Sequence, residues 1–210
     1  MLDNVECLCQ SAIKIKCEKI IYFDPIKIEN ELHDADIIFV THDHFDHFDV
    51  ASINNIKKDN TTIVIPSSLV GKTMDLFSMD NMLVVGPEKE YEVDGIKFET
   101  VPAYNINKDF HPKSNNWVGY VVTIKDKKFY VMGDTDATPE AENVKCNYLF
   151  IPVGGTYTMT WEEAASLTNK IKPDVAIPIH YGFACGSRDD AVNFVKNIEV
   201  EGRIMINESN

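Results

Sequence analysis

The chain has 210 residues, and 20 Lys and Arg against 33 Asp and Glu leave a formal net charge of −13. That length suits a single domain spanning 1–210, able to bury roughly 70% of its unfolded surface without disulfide staples. The acidity argues against nucleic-acid binding, which needs Lys and Arg to displace counterions, and no apolar run approaches the roughly 18 residues of a membrane span.

In chain order, alternation through residues 7–17 and the apolar run at 20–23 predict an opening pair of strands. Asp24-Pro25 ends the second, because proline cannot continue a hydrogen-bonded ladder. Residues 36–41 read as a short buried strand, 51–58 as a helix, 61–66 as a strand, 67–77 as a helix and 82–85 as a strand. Asp94-Gly95 and Asp126-Lys127 each sit between strand-like runs, as tight hairpin turns do. Strands at 148–153 and 175–179 flank a helix that opens with a capping box, Thr160 with Glu163, and stops before Pro173. A last helix over 187–198, capped by Ser187, and a strand over 203–206 complete the reading. The pattern is a mostly β core, in more than one sheet, with peripheral helices.

The opening residues lack the basic start and apolar centre of a signal peptide, so a soluble, cytoplasmic protein is expected. Five cysteines, an odd number with no Cys-x-x-Cys pair, fit reduced thiols. Cys7 and Cys9 would share one strand face and pack as small hydrophobes.

Most of the chemistry lies in one segment. Thr41-His42-Asp43-His44-Phe45-Asp46-His47-Phe48-Asp49 holds three of the six histidines, directly after an apolar strand. Imidazole is the usual nitrogen ligand for zinc, and carboxylates complete such sites. His42 and His44, two apart, can address one ion, while Asp46 and His47 follow a turn and can address another. His33 stands at the remote end of the strand and reads as an ordinary exposed residue.

His42-x-His44-x-Asp46-His47 resembles the signature of the metallo-β-lactamase-fold hydrolases. Met132-Gly133-Asp134-Thr135 resembles that family's bridging-aspartate segment, and Ile177-Pro178-Ile179-His180-Tyr181-Gly182 its last-histidine segment. Asp24-Pro25, the 152–156 loop and the Ile-Pro-x-His-Tyr-Gly ending are similar to its small branch of ascorbate-6-phosphate lactonase-like proteins. The resemblance implies an α+β fold, the four-layer αββα sandwich, with metals at one edge between two sheets. One ligand departs from the family pattern: the strand ending Val101-Pro102-Ala103-Tyr104-Asn105 carries no histidine. His111, 23 residues before Asp134, is the preferred substitute, with Asn105 as competitor.

The resemblance thus implies two divalent ions, zinc first and manganese or iron as alternatives. His42, His44 and His111 would hold one, Asp46, His47 and His180 the other, and Asp134 would bridge them. A water with its pKa lowered by the cations would attack a small, anionic ester, lactone or phosphodiester. Asp46 would orient that water or carry its proton, and Tyr157, Tyr181 or His111 could serve as general acid. Asp43 and Asp49 are candidates to support the ligating imidazoles. Lys108, Lys113 and Arg188 could draw an anion, the 154–156 turn could offer backbone N–H groups, and Tyr104, Trp117, Tyr157 and Trp161 could line the pocket. The alternatives are a di-iron redox protein or a non-catalytic ligand-binding protein on the same fold. The expected partner is a small-molecule substrate, and homo-oligomerisation is left open.

Overall fold

Residues 37–40 are apolar without interruption because this stretch is covered on both sides. Ile37 and Phe39 face one hydrophobic cluster, whereas Ile38 and Val40 face another. The computed structural model describes residues 2–206, which form two mixed sheets between helices. The first sheet contains, in spatial order, β1 (Val5–Cys9), β2 (Ala12–Lys16), β3 (Ile20–Phe23), β4 (Ala35–Phe39), β5 (Lys57–Pro66) and β6 (Met82–Val85). Its first three strands are antiparallel, and β3 to β6 are parallel.

The second sheet contains β7 (Glu90–Val93), β8 (Ile96–Pro102), β9 (Val118–Ile124), β10 (Lys127–Val131), β11 (Tyr148–Pro152), β12 (Val175–Ile179) and β13 (Glu201–Gly202), in sequential order. Strands β7 to β10 pair antiparallel, and β10 to β13 are parallel. Helix α1 (Val50–Ile56) packs Ile53 and Ile56 on the outer face of the first sheet, near the short α2 (Val70–Thr73). Three further helices follow: α3 (Pro139–Glu142), α4 (Trp161–Ile171) and α5 (Arg188–Lys196). α4 and α5 pack against each other and onto β11 and β12. The layers are therefore helix, sheet, sheet, helix, the αββα order implied by the resemblance.

Between the sheets, Phe39 stacks on Phe23 at 5.0 Å and meets Phe98 and Tyr120 edge-on at 5.1 and 4.9 Å. The Tyr120 hydroxyl donates to the Val40 carbonyl at 2.8 Å, and Val118 N–H donates to the Thr41 carbonyl at 3.3 Å. These two bonds stitch the chain leaving β4 to the opposite sheet, at the edge where the histidine segment begins. A Cβ on Gly119 would sit 2.6 Å from the Met132 carbonyl oxygen, so only glycine lets β9 lie this close to the end of β10.

Several elements differ from expectation. The opening segment splits into β1 and β2 around Gln10, which takes a positive φ of 53°, so three strands stand where two were expected. The register slips between Cys7 and Cys9, and they do not share an environment: Cys7 is buried and Cys9 half-exposed. Burial pushes the Cys7 thiol up to about 12, which makes it inert. The helix expected over 67–77 shrinks to one 3-10 turn and α2, since no side chain caps either and Gly71, within α2, is a poor helix former. The second hairpin turns at Lys125-Asp126 rather than Asp126-Lys127, with positive φ at both. The last strand is Glu201–Gly202 instead of 203–206; beyond it only Arg203 N–H still reaches the Ala176 carbonyl. The α4 capping box forms as expected, with Thr160 N–H donating to Glu163 at 2.9 Å.

Phe39→Ala removes the ring shared by both sheets and is expected to cost about 3–5 kcal/mol. Chemical denaturation of wild type and variant measures that loss directly.

Candidate metal centre

Each candidate ligand lies on the chain that follows a strand, where it is free to turn but its root is held. Beyond β4 the chain turns through 42–47, with His47 and Phe48 N–H groups both bonding the His44 carbonyl. β10 delivers Asp134, β12 delivers His180, and the loop after β8 delivers His111. His180 itself has a positive φ of 58°, a conformation that costs a non-glycine residue about 1 kcal/mol or more.

The side chains gather into three overlapping sets: His42, His44 and His111; His42, His47 and Asp134; and Asp46, His47 and His180. Within each set the candidate ligand atoms lie within 4.8 Å of one another. Asp134 lies between the groups. Its Oδ2 is 2.9 Å from His180 Nε2, 3.3 Å from His111 Nε2 and 3.9 Å from His42 Nε2, while Oδ1 is 3.2 Å from His47 Nε2. Asp46 Oδ2 is 3.4 Å from His180 Nε2 and 3.6 Å from His47 Nε2.

The decisive observation is what these atoms lack. Close as they are, Nε2 of His47, His111 and His180 and Oδ1 of Asp134 are buried and make no aligned hydrogen bond among the described residues. Orphaned buried polar atoms are rare and costly, and four converging on one point fit divalent cations.

The opposite ring nitrogens are all engaged. His47 Nδ1 lies 2.8 Å from Asp24 Oδ2, His42 Nδ1 3.0 Å from Thr41 Oγ1, His111 Nδ1 3.0 Å from Asn105 Oδ1, and His180 Nδ1 3.3 Å from Cys185 Sγ. Such outer contacts fix the tautomer and aim the free nitrogen inward. Asp24 is the hub: fully buried, it also accepts from Thr41 N–H and Oγ1, both at 2.8 Å. Gln10, at the β1–β2 turn, donates from Nε2 to Asp46 Oδ2 at 3.0 Å, and its carbonyl accepts from His180 N–H at 2.9 Å.

The candidates expected around the ligands sort differently. Asn105 does not join the ligand sets; its amide instead bridges His111 to Asp136 and the Tyr157 carbonyl. Asp49 caps α1, and Asp43 pairs with Lys72, so neither supports an imidazole. Lys108 and Lys113 are neutralised by Asp136 and Glu140, each at 2.7 Å. Arg188 is exposed at the start of α5. Gly154 is required by crowding, since a Cβ there would lie 2.4 Å from both the His180 carbonyl oxygen and Cys185 Sγ. Of the aromatics, Trp117 packs on His42, His44 and His111 at 5.0, 4.9 and 5.5 Å, whereas Trp161 packs against the core. His33 is exposed.

Without cations the cluster divides electrically. Burial, reinforced by the charge on His47, holds His42 well below the usual imidazole range, and burial also lowers His44. Burial opposes charge on His47 and His180 too. There the Asp134 carboxylate wins, holding His47 up at about 10, with help from Asp24, and His180 well above the ordinary value. Burial pushes Asp134 upward, but the His180 and His47 charges outweigh it and hold the carboxyl well below its usual range.

The family match agrees with this geometry. The Beta-lactamase superfamily domain matches residues 11–180, and the chain belongs to that family. A metal-dependent hydrolase of Thermococcus onnurineus is 29% identical over 97% of this chain and 95% of its own. A solved structure from Parabacteroides distasonis, assigned to the metal-dependent hydrolases, superposes with a TM-score of 0.80 at 26% identity, covering 96% and 91% of the two chains. Igni18, a metallo hydrolase of Ignicoccus hospitalis, shares the fold with a TM-score of 0.77 at 20% identity, covering 96% and 94%. The protein thus falls among the metal-dependent hydrolases of the metallo-β-lactamase fold.

Asp24→Asn keeps the shape but removes the charge behind His47. Metal affinity is expected to fall roughly 10–100-fold, read by competition with a chromogenic chelator. His47, held up at about 10, must lose a proton to ligate, so metal loading at pH 7.5 is expected to release at least one proton, measured by calorimetry in buffers of different ionisation enthalpy. In the metal-free protein, the raised pKa of His47 contributes stability fully present below its ordinary value of 6.5 and lost as pH rises through about 10.

Proposed function

We propose that the protein hydrolyses a small ester, lactone or phosphodiester at a dinuclear centre. His42, His44 and His111 would hold one ion and Asp46, His47 and His180 the other, with Asp134 shared between them. The observation that carries this reading is the convergence of orphaned Nε2 atoms on the two oxygens of Asp134. Zinc suits a set of imidazoles and carboxylates, with manganese or iron as the alternatives. Two bound cations would lower the pKa of a water and polarise the scissile oxygen.

The chain's own groups do the rest. Asp46, with its Oδ2 tied to Gln10, is placed to orient the attacking water and receive its proton. His47 and His180 are kept in one tautomer by Asp24 and Cys185. Lys108 and Lys113 are already paired with acids, so attraction for an anionic scissile group would come chiefly from the cations.

Metal content measured on protein purified without chelators, followed by turnover of p-nitrophenyl esters and bis-p-nitrophenyl phosphate, tests this. Two ions per chain are expected. Asp46→Asn is expected to lose roughly 10²–10⁴-fold in kcat, the range general acid–base groups supply. One ion or none after reconstitution, or unchanged turnover in Asp46→Asn, would count against the dinuclear mechanism.

A further inference from the structure

Beside the ligands stand aromatic side chains that the protein leaves in solvent. Phe45 lies between His44 and Asp46 in the sequence, yet is 71% exposed. Phe183, three residues after His180, is exposed as well, and the two rings meet at 6.4 Å in a T-shaped arrangement. Lys27 Nζ sits 3.9 Å from the Phe183 ring centroid, a cation–π contact that holds the ring in place. By the other ligand set, Phe110 immediately precedes His111, is half exposed, and meets Tyr157 edge-on at 4.8 Å. The Tyr157 carbonyl in turn accepts from Asn105, the residue that orients His111. Ile106, on the same loop, is 53% exposed.

Single exposed apolar residues need no explanation, but two paired sets on the loops that carry the ligands do. Leaving these rings in water gains nothing for the folded chain, whereas an apolar ligand group would bury them. His44 is the half-exposed member of the ligand sets, so the centre opens to solvent beside Phe45.

We propose that Phe45 with Phe183, and Phe110 with Tyr157, form a rim that binds the apolar part of the substrate. The substrate is thus an amphiphile: a polar scissile ester, lactone or phosphodiester at the metals, carrying an acyl, alkyl or aryl substituent. This rests on the hydrolytic reading above, and the test separates the two. The rim residues determine specificity and take no part in bond breaking.

The metal-loaded protein is assayed with p-nitrophenyl acetate, butyrate and hexanoate. Calorimetry compares hexylphosphonate with methylphosphonate as non-hydrolysed probes. kcat/KM is expected to rise with acyl length, by up to about fourfold per added methylene, the factor set by full burial of a CH2 group. The gain should appear mainly in KM, as expected for binding shared by ground and transition states. Phe45→Ala and Phe183→Ala, checked for retained metal content, should flatten the dependence, Phe45→Leu should restore part of it, and Met79→Ala should leave it intact.

Turnover that ignores acyl length overturns the rim proposal and leaves the hydrolase standing. Absent turnover with a Phe45-dependent preference for hexylphosphonate upholds the rim and removes the ester-hydrolase reading. Neither preference overturns the rim. A dimer in sedimentation velocity that Phe45→Asp dissociates would assign the rings to a second copy of the chain, and overturns it too.

Discussion

Everything at this centre depends on holding imidazoles and carboxylates together in the protein interior. Three imidazole nitrogens and a carboxylate oxygen face inward without an aligned hydrogen bond, an arrangement a protein core ordinarily avoids. The fold bears that cost by anchoring the far side of each ring. Asp24, Thr41, Asn105 and Cys185 fix the outer nitrogens, leaving each inner nitrogen one direction to point. Asp24 carries the largest share. Its carboxylate fixes His47 and the Thr41 backbone at once, although its own φ of 42° is unfavourable for a non-glycine residue.

The two-sheet architecture makes this possible by bringing strand ends together. Parallel strands β10, β11 and β12 emerge in one direction, so Asp134 and His180 reach the same edge although 46 residues separate them in sequence. The β4 end meets them from the opposite sheet, tied across by Tyr120 and Val118. Close approach requires glycine at specific places. Gly154 leaves room for His180, and Gly133, with its φ of 66°, lets the Asp134 segment pass against Thr41, whose Cβ is 2.9 Å from where a side chain would begin. These glycines are part of the site although none could touch a metal.

The electrostatic arrangement also bears on substrate choice. The net charge of −13 is spread over a protein whose Lys108 and Lys113 are already paired beside the site. Local positive potential would therefore come chiefly from cations at the ligand sets rather than from a basic cleft. The exposed aromatic rings around those sets offer shape and apolar area, which cations cannot supply. On the proposed reading, charge would act on the scissile group and apolar contact on what is attached to it.

How much of this was legible in the sequence follows from the range of each interaction. The histidine segment could be read because its ligands are neighbours in the chain and their spacing alone limits their geometry. Strands β4, β11 and β12, the α4 capping box and the hairpin at Asp94-Gly95 were legible for the same reason, since burial, caps and tight turns leave local patterns. Choosing between His111 and Asn105 needed space rather than spacing: both lie on one loop, and only tertiary packing puts the imidazole beside His42 and the amide behind it. Gln10 left no signal, because a glutamine at a turn is ordinary until Asp46, 36 residues away, lies 3.0 Å from it. Asp24 read as the end of a strand and as part of the family resemblance, with no role at the ligands, whereas Asp43 and Asp49 read as candidate supports for the imidazoles. The sequence by itself determined the candidate ligand types, their order and, through the family resemblance, the layered fold; the tertiary structure decided which residues back them, because those hydrogen bonds join segments that only the packed sheets bring into contact.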